Sequence, residues 1–153
     1  EAYLESHFGK SGAYYYAVVR GIHNSDVKPN RVRKSLAAEH TFNENLSSEI
    51  FMLERLDQIT NEVSRRLKKT SVAGKTVTLK IKYSDFTLHT RSKTLHYYIS
   101  DKDLIFEIAK DLLFQEKLSN SVRLLGISMS NLNTETKNIL EHKSVSVQLK
   151  FEF

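Results

Sequence analysis

The stretch KTVTLKIKY, residues 75–83, alternates apolar and polar side chains without a break. Val77, Leu79, Ile81 and Tyr83 fall on one side, and threonines and lysines lie between them. A period of two residues is typical of a β-strand with one buried side and one side in solvent. We therefore predict a half-buried strand here. Its solvent side would consist of Thr76, Thr78, Lys80 and Lys82.

A second strand is predicted directly after the first. The dipeptide SD supplies turn residues, and FTLHTRSKTLHYY (86–98) follows with many β-forming side chains. Phe86 and Leu88 point to the same side, but the alternation slips between Arg91 and Leu95. Such a slip predicts a β-bulge between those two residues.

Two amphipathic helices flank this predicted hairpin. In the first, apolar side chains recur at steps of three or four residues. They are Leu46, Ile50, Leu53, Leu56, Ile59, Val63 and Leu67. The second helix is predicted over 100–118, where Ser100 and Asp103 have the spacing of a capping box. Its apolar stripe consists of Leu104, Ile105, Ile108, Leu112 and Leu118.

Two outer stretches complete the pattern. KSLAAEHTF (34–42) suits a strand before the first helix, and VRLLGISMSN (122–131) suits one after the second. Gly126 marks a bulge or a close approach of another backbone. The order β-α-β-β-α-β predicts an α+β domain with a ferredoxin-like four-stranded sheet and two helices on one face. The other face would be open to solvent and is where we expect the function. The side chains predicted on it include Ser35, Thr78, Lys80, Lys82, Thr87, His89, Arg91, Ser128 and Ser130.

The N-terminal part of the chain predicts a separate helical piece. Gly9 and Gly12 would bracket a tight turn, and a short helix would run from Ala13 to Arg20. The segment HNSDVKPNRVR holds the only proline of the chain among polar turn formers, which is typical of a linker. We predict four regions: a helical piece over 1–23, a linker over 24–33, the sheet domain over 34–131 and a tail over 132–153.

The composition limits the classes of function. No apolar run approaches the roughly 18 residues that span a bilayer, and no signal-peptide pattern is present, so we expect a soluble fragment of a longer protein. The absence of cysteine excludes disulfides and thiolate metal sites and suits a cytoplasmic protein. A formal charge of +5 favours a polyanionic partner.

No local pattern predicts a catalytic or a metal site. The segment FGKSG lacks the first glycine of a phosphate-binding loop, because Leu4 stands at that position. The six histidines have no metal-ligand spacing. Asp101 and Asp103 fall in the first turn of the second sheet helix, where carboxylates complement the helix dipole. Two readings of Gly9 and Gly12 stay open: an ordinary turn, or a helix start whose N–H groups meet a DNA phosphate.

Three blocks of sequence together resemble a known family. RGIHNSDVKPNRVRKSLAAEHTF, VTLKIKYSDFTLHTRSKTL and VRLLGISMSNL are similar to the C-terminal part of Y-family translesion DNA polymerases of the bacterial DNA polymerase IV type. The resemblance covers nearly the whole chain. It implies that the β-α-β-β-α-β module is the little finger, which lies in the major groove of primer-template DNA and holds both strands through phosphates. It also implies that residues 1–23 are the end of the thumb.

The resemblance, with the positive charge of the predicted sheet, indicates a set of DNA contacts. The expected contacts are Lys34, Ser35, Lys80, Lys82, Arg91, Ser92, Lys93, Thr94, Arg123 and Ser128. Where relatives often carry a basic residue in the first strand, this chain has Ala37, Ala38 and His40. The catalytic carboxylates of the family lie in the palm, and no residue here matches them. The resemblance implies Mg²⁺ for the full polymerase, no cofactor and no activity for this part alone, and a monomer.

The C-terminal hexapeptide QLKFEF (148–153) resembles the peptide by which many bacterial members of the family dock on the sliding clamp. The clamp-binding residues would be Gln148, Leu149, Phe151 and Phe153. The alternation in SVSVQLKFEF equally suits an added edge strand, and that alternative stays open.

Two other classes of function compete with DNA binding. An RNA-recognition module has the same element order, but it needs aromatic side chains on the open face of its central strands. The corresponding positions here are occupied by Thr, Lys and His. A protein-interaction domain would rely on the tail and leave the basic face unused.

Overall fold

The computed structural model describes residues 1–29 and 31–134. The chain divides into two compact units, Glu1–Arg31 and Val32–Phe153. The expected clamp-binding residues, Gln148, Leu149, Phe151 and Phe153, lie outside the described residues.

The N-terminal unit consists of two short helices, α1 (Ala2–Phe8) and α2 (Lys10–Val18). Gly9 makes the turn between them with a φ of 56°, a value that glycine adopts easily. Gly12 does not take part in the turn as predicted. It lies inside α2, where an added Cβ would overlap backbone atoms of Leu4 and Glu5. Its missing side chain lets the two helices approach closely.

The second unit has the predicted order of elements. Its strands are β1 (Ser35–Leu46), β2 (Gly74–Tyr83), β3 (Leu88–Ile99) and β4 (Val122–Leu132). Its helices are α3 (Glu49–Lys69) and α4 (Lys102–Phe114). The α+β class and the four-stranded sheet with two helices are therefore confirmed.

The strand order of the sheet is β1-β4-β2-β3, and every neighbouring pair is antiparallel. The ferredoxin-like order was wrong, because that fold places its first and third strands in the centre. Here β2 and β4 are central, and each strand-helix-strand connection crosses over one intervening strand. Periodicity along the chain predicts the elements, but it carries no information about which strand edges pair.

The core lies between the sheet and the helices. Val77, Leu79, Ile81 and Tyr83 of β2 are buried there, as their alternation predicts. From α3 the fully buried apolar side chains are Leu56, Ile59, Val63 and Leu67. The prediction was wrong for two members of that stripe, because Leu46 ends β1 and Ile50 is 77% exposed. Met52 is buried in the first turns of α3 instead.

The start of α4 differs by one residue from the prediction. Asp101 is the N-cap, and its carboxylate accepts hydrogen bonds from the N–H groups of Asp103 and Leu104 at 3.0 and 3.2 Å. Aspartate is a strong N-cap because it satisfies N–H groups that the helix leaves unpaired. Ser100 therefore is not the cap. The predicted stripe was also wrong for Leu104, which is exposed, and Leu118, which follows the helix.

Candidate nucleic-acid interface

We call the side of the sheet that faces away from α3 and α4 the open face. Its residues follow from the register, because directly paired residues of antiparallel strands point to the same side. Since Val77, Leu79 and Ile81 are in the core, the open face comprises the alternate residues of β2 and their partners. From β2 and β3 these are Thr76, Thr78, Lys80, Lys82, Leu88, Thr90, Ser92 and Thr94. From β1 and β4 they are Ser35, Ala37, Glu39, Thr41, Leu124, Gly126, Ser128 and Ser130.

Hydroxyl groups occupy the middle of the open face. The hydroxyls of Thr78 and Ser92 are 2.8 Å apart, and those of Thr76 and Thr94 are 2.9 Å apart. Asn131 donates a hydrogen bond to Thr76 at 2.9 Å. These cross-strand bonds fix the side chains while each hydroxyl retains capacity for a further hydrogen bond. Such a surface suits contact with the sugar-phosphate backbone, which carries no sequence information.

An ion pair crosses the open face at Gly126. Glu39 of β1 and Lys80 of β2 both pair with Gly126 of β4 in the ladder, and the Lys80 Nζ lies 2.8 Å from a Glu39 carboxylate oxygen. A Cβ at position 126 would be 2.8 Å from the Glu39 Cβ. A close approach at Gly126 was expected from another backbone, but it comes from the Glu39 side chain, and the nearest backbone atom, the Ala38 carbonyl oxygen, would be at an ordinary 3.5 Å. The missing side chain leaves room for a salt bridge above the central strand.

Two cations and an aromatic ring meet at one end of the open face. Lys82 and Arg123 each place their charged group 4.9 Å from the centre of the Phe86 ring. Arg123 is the extra residue of an irregularity in β4, because Lys82 pairs with Leu124 and the next residue of β2, Tyr83, pairs with Val122. A bulge re-aims the side chain at the inserted position.

Strand β3 presents the opposite face from the one predicted. Leu79 pairs with Arg91 and Ile81 pairs with His89, so Arg91 and His89 lie on the helix side. Leu88 is paired with Lys82 and lies on the open face. A slip of one residue exchanges the two faces of a strand. The prediction counted the alternation from Phe86, which belongs to the turn, and the irregularity of β3 lies between Thr94 and Ile99 rather than between Arg91 and Leu95.

Arg91 is held inside the second unit. Its Nη1 donates hydrogen bonds to the carbonyl oxygens of Leu112 and Leu113 at 2.8 and 3.0 Å, and its Nη2 lies 3.2 Å from Glu116. These carbonyls belong to the last turn of α4, where a helix has no partners of its own for its C=O groups. With a side chain that is only 9% exposed, Arg91 ties the end of α4 to the edge strand.

Arg91→Met is expected to lower the free energy of unfolding by roughly 1–3 kcal/mol, because two buried carbonyls lose their donor. Urea unfolding followed by circular dichroism measures this loss. Lys93→Met is the matched control on the same side of β3, since Lys93 is 49% exposed and forms an ion pair with Asp111 at 3.6 Å. An exposed pair of this kind contributes only about 0.2–1 kcal/mol. Equal losses in the two variants would contradict the role assigned to Arg91.

His40 also lies on the helix side, one residue from Glu39. It shares a hydrogen bond with Glu62 of α3 at 3.1 Å, and Arg66 forms an ion pair with the same carboxylate. The hydrogen bond with His40, together with the nearby charge of Arg66, lowers the pKa of the Glu62 carboxyl. His40 thus links β1 to α3 and does not extend the cations of the open face.

The predicted contact Lys93 pairs with the core residue Val77 and therefore lies on the helix side, whereas the remaining predicted contacts lie near or on the open face. Lys34 is exposed and directly precedes β1, and Ser35 and Ser128 are on the open face itself. Sequence reasoning missed Glu39 and Phe86. Glu39 falls in the same alternation as Ser35 and could have been assigned by it. The role of Phe86 could not be predicted from the sequence, because it is a turn residue and does not follow the two-residue period of a strand.

Within residues 1–29 and 31–134, no group of His, Cys, Asp or Glu is arranged to hold a metal ion. No helix in that part of the chain is long and apolar enough to cross a membrane.

The chain is similar to known proteins over most of its length. Residues 33–148 match the model of the impB/mucB/samB family C-terminal domain. The chain is 41% identical to DNA polymerase IV 2 of Agrobacterium fabrum over 134 residues, which are 87% of the chain and 38% of that protein. It is 43% identical to DNA polymerase IV of Leptospira interrogans over 88% of the chain and 40% of that protein. It is 41% identical to DNA polymerase IV of Clostridium perfringens (strain SM101) over 94% of the chain and 39% of that protein. The chain thus spans about two fifths of these curated relatives.

Proposed function

Since the chain belongs to the impB/mucB/samB family and matches its C-terminal domain over residues 33–148, we propose that the chain holds primer-template DNA for an error-prone translesion polymerase. The predicted resemblance to the C-terminal part of a Y-family polymerase of the DNA polymerase IV type is confirmed. The parent protein would be a DNA-directed DNA polymerase, a nucleotidyltransferase that is active in DNA repair. The present chain would bind the duplex without catalysing nucleotide transfer.

One observation carries this proposal: the open face combines fixed hydroxyls with Lys82 and Arg123 at one end. Cations and hydroxyls in this arrangement contact phosphates of either strand and read no base edges. By the family resemblance, the open face would lie in the major groove. The proposed contacts on or beside it are Lys34, Ser35, Lys80, Lys82, Ser92, Thr94, Arg123 and Ser128. We leave out Arg91, because its guanidinium is bonded to α4, and Lys93, because it points to the helix side.

The test is duplex DNA binding by the chain over a series of salt concentrations. Phosphate contacts predict an affinity that falls linearly with salt on a double logarithmic plot, with a slope of about −0.9 per contact. An affinity that is independent of salt concentration and depends on base sequence would contradict the proposal. Single-stranded RNA is the comparison ligand for the rival function. On the open face of the central strands β2 and β4 the described residues are Thr, Lys, Leu, Gly and Ser, which supports the duplex rather than base stacking.

The second part of the proposal concerns the tail. Gln148, Leu149, Phe151 and Phe153 would dock in a hydrophobic cleft of the sliding clamp and so keep the polymerase at the primer terminus. This part rests on the sequence pattern QLKFEF, which resembles the clamp-docking peptide of the family. The alternative is a tail that adds as a strand at the edge of the sheet.

Catalysis would require parts of the polymerase outside this chain. The family resemblance implies that the carboxylates that hold Mg²⁺ belong to the palm, which would lie elsewhere in the parent protein. We propose that the parent protein is a cytoplasmic bacterial enzyme and that the chain acts as a monomer.

Glu39 provides a sensitive test of the open face, because it places a negative charge where DNA phosphates would lie. Glu39→Gln is expected to tighten duplex DNA binding about two- to fivefold, since it frees Lys80 from an exposed ion pair of modest strength. The salt slope should steepen by up to about 0.9 as Lys80 gains a phosphate. Fluorescence anisotropy with a labelled duplex measures both quantities.

Glu107→Gln is the matched control for that variant. It removes one negative charge from α4, where Glu107 pairs with Lys110 at 3.5 Å. Both variants change the net charge equally, so a difference between their affinities for DNA would come from the position of Glu39 on the open face. Identical affinities for the two variants would remove Lys80 from the proposed contacts.

A further inference from the structure

Phe86 has a backbone conformation that is unfavourable for phenylalanine. Its φ is 67°, in the left-handed region that bulky residues rarely adopt. The turn between β2 and β3 is held by other groups: the Phe86 N–H bonds the Tyr83 carbonyl at 3.0 Å, and the Tyr83 N–H bonds the Thr87 carbonyl at 2.9 Å. Glycine or asparagine would make the same turn with less strain.

The carboxylate of Asp85 stabilises this turn as well. It accepts a hydrogen bond from the Thr87 N–H at 2.9 Å, and that bond lowers the pKa of the Asp85 carboxyl. The turn therefore has its own backbone and side-chain bonds, none of which uses the Phe86 ring. A reason for phenylalanine at this position must lie in what the ring contacts.

Phe86 is 60% exposed, so its side chain adds little to the core. Its contacts are the two cations of the open-face end, Lys82 Nζ and Arg123 Cζ, each 4.9 Å from the ring centre. Lys82 comes from β2 and Arg123 from the irregular position of β4. The ring thus holds two positive charges, one from each strand, that would otherwise repel each other. Its electron-rich face attracts both.

We infer that Phe86 positions Lys82 and Arg123 as one preorganised phosphate-binding unit at the end of the open face. Long basic side chains lose conformational freedom when they bind, and a contact that orders them beforehand reduces that loss. Two cations held against one ring then act on the same stretch of DNA backbone. This inference rests on the proposed function, since the ligand is a phosphate of the duplex.

The test begins with Phe86→Leu, which keeps an apolar side chain at the same backbone position and removes the aromatic face. Its affinity for duplex DNA is expected to fall about three- to tenfold at constant salt, because Lys82 and Arg123 would then have to be ordered when they bind the phosphate. The salt slope should stay unchanged, because no charge is lost. Phe86→Tyr, which restores the ring, should bind as the parent chain does.

Phe51→Leu is the matched control, since Phe51 is 58% exposed and lies on α3. It should bind DNA as the parent chain does. Phe86→Asn should weaken DNA binding while the melting temperature stays the same or rises, because asparagine accepts the left-handed conformation. A fall in melting temperature that accounts for the lost binding would instead assign Phe86 a purely structural role and overturn the inference.

A double-mutant cycle decides how Phe86 acts. If the ring works through the cations, Phe86→Leu should have no further effect in a chain that already carries Lys82→Gln and Arg123→Gln. An undiminished effect in that background would mean that the ring contacts DNA directly, and the positioning role would be wrong. If the double variant Lys82→Gln with Arg123→Gln binds DNA as the parent chain does, the proposal that the open face binds DNA is wrong. If Phe86→Leu binds DNA as the parent chain does while the Lys82→Gln, Arg123→Gln variant binds more weakly, this inference is wrong but the proposed function stands.

Discussion

Replacing Lys82 and Arg123 together by glutamine is expected to weaken duplex DNA binding by on the order of tenfold to a hundredfold near 0.1 M salt. The reason is counterion release: each phosphate contact displaces condensed cations from the duplex, and each contributes about 0.9 to the salt slope. Loss of two contacts should flatten that slope by about 1.8. Anisotropy titrations with a labelled duplex at several salt concentrations measure both effects.

The control for this pair is Lys68→Gln with Lys69→Gln. Both lysines are exposed at the end of α3, in the helix layer, so the double variant loses the same charge away from the open face. Its salt slope should stay close to that of the parent chain. Duplexes of unrelated sequence should respond alike to the Lys82 and Arg123 changes, because phosphate contacts are blind to base identity. Equal losses for the two double variants would indicate general charge attraction and contradict the open-face assignment.

Deleting residues 148–153 is expected to abolish binding to the sliding clamp while the affinity for duplex DNA stays the same. Phe151 and Phe153 would be the buried anchors of the docking peptide, and truncation of such anchors costs about 2 kcal/mol or more each. The loss should therefore reach on the order of a thousandfold. Surface plasmon resonance on immobilised clamp, together with DNA anisotropy on the same preparation, measures the two affinities.

The edge-strand alternative makes the opposite prediction for the same deletion. A tail that pairs with the exposed edge of β1 or β3 would stabilise the domain, so its removal would lower the melting temperature. In that case the clamp affinity would be unaffected. The double variant Phe151→Ala with Phe153→Ala keeps the backbone of the tail and removes only the anchors. It should match the deletion if the tail docks on the clamp.

The strands and helices could be predicted because each repeats its own pattern. The alternation of β2 and the three- and four-residue steps of α3 are local. The predicted side of β2 is buried, and the predicted stripe of α3 is buried from Leu56 to Leu67 but exposed at Ile50. Errors occurred where the pattern was interrupted. Phe86 and Leu88 suggested a face for β3, but Phe86 belongs to the turn and Leu88 lies in solvent.

The candidate site was predictable in part for the same reason. Lys80 and Lys82 lie on the open face because they alternate with the core residues of β2. Arg91 is similar to them in chemistry, but its pairing with Leu79 turns it toward α4. The salt bridge of Lys80 with Glu39 joins residues 41 positions apart. No local spacing predicts a contact at that separation.

The amino-acid sequence was sufficient to predict the α+β class, the order of elements, the buried side of β2 and the family resemblance. These depend on side-chain periodicity and on short blocks of residues, which are local properties of the chain. The three-dimensional structure was needed for the strand order, the face of β3, the internal role of Arg91 and the contact of Phe86 with Lys82 and Arg123. Those depend on register between strands that are distant in sequence, where a shift of one residue exchanges the solvent side for the core side.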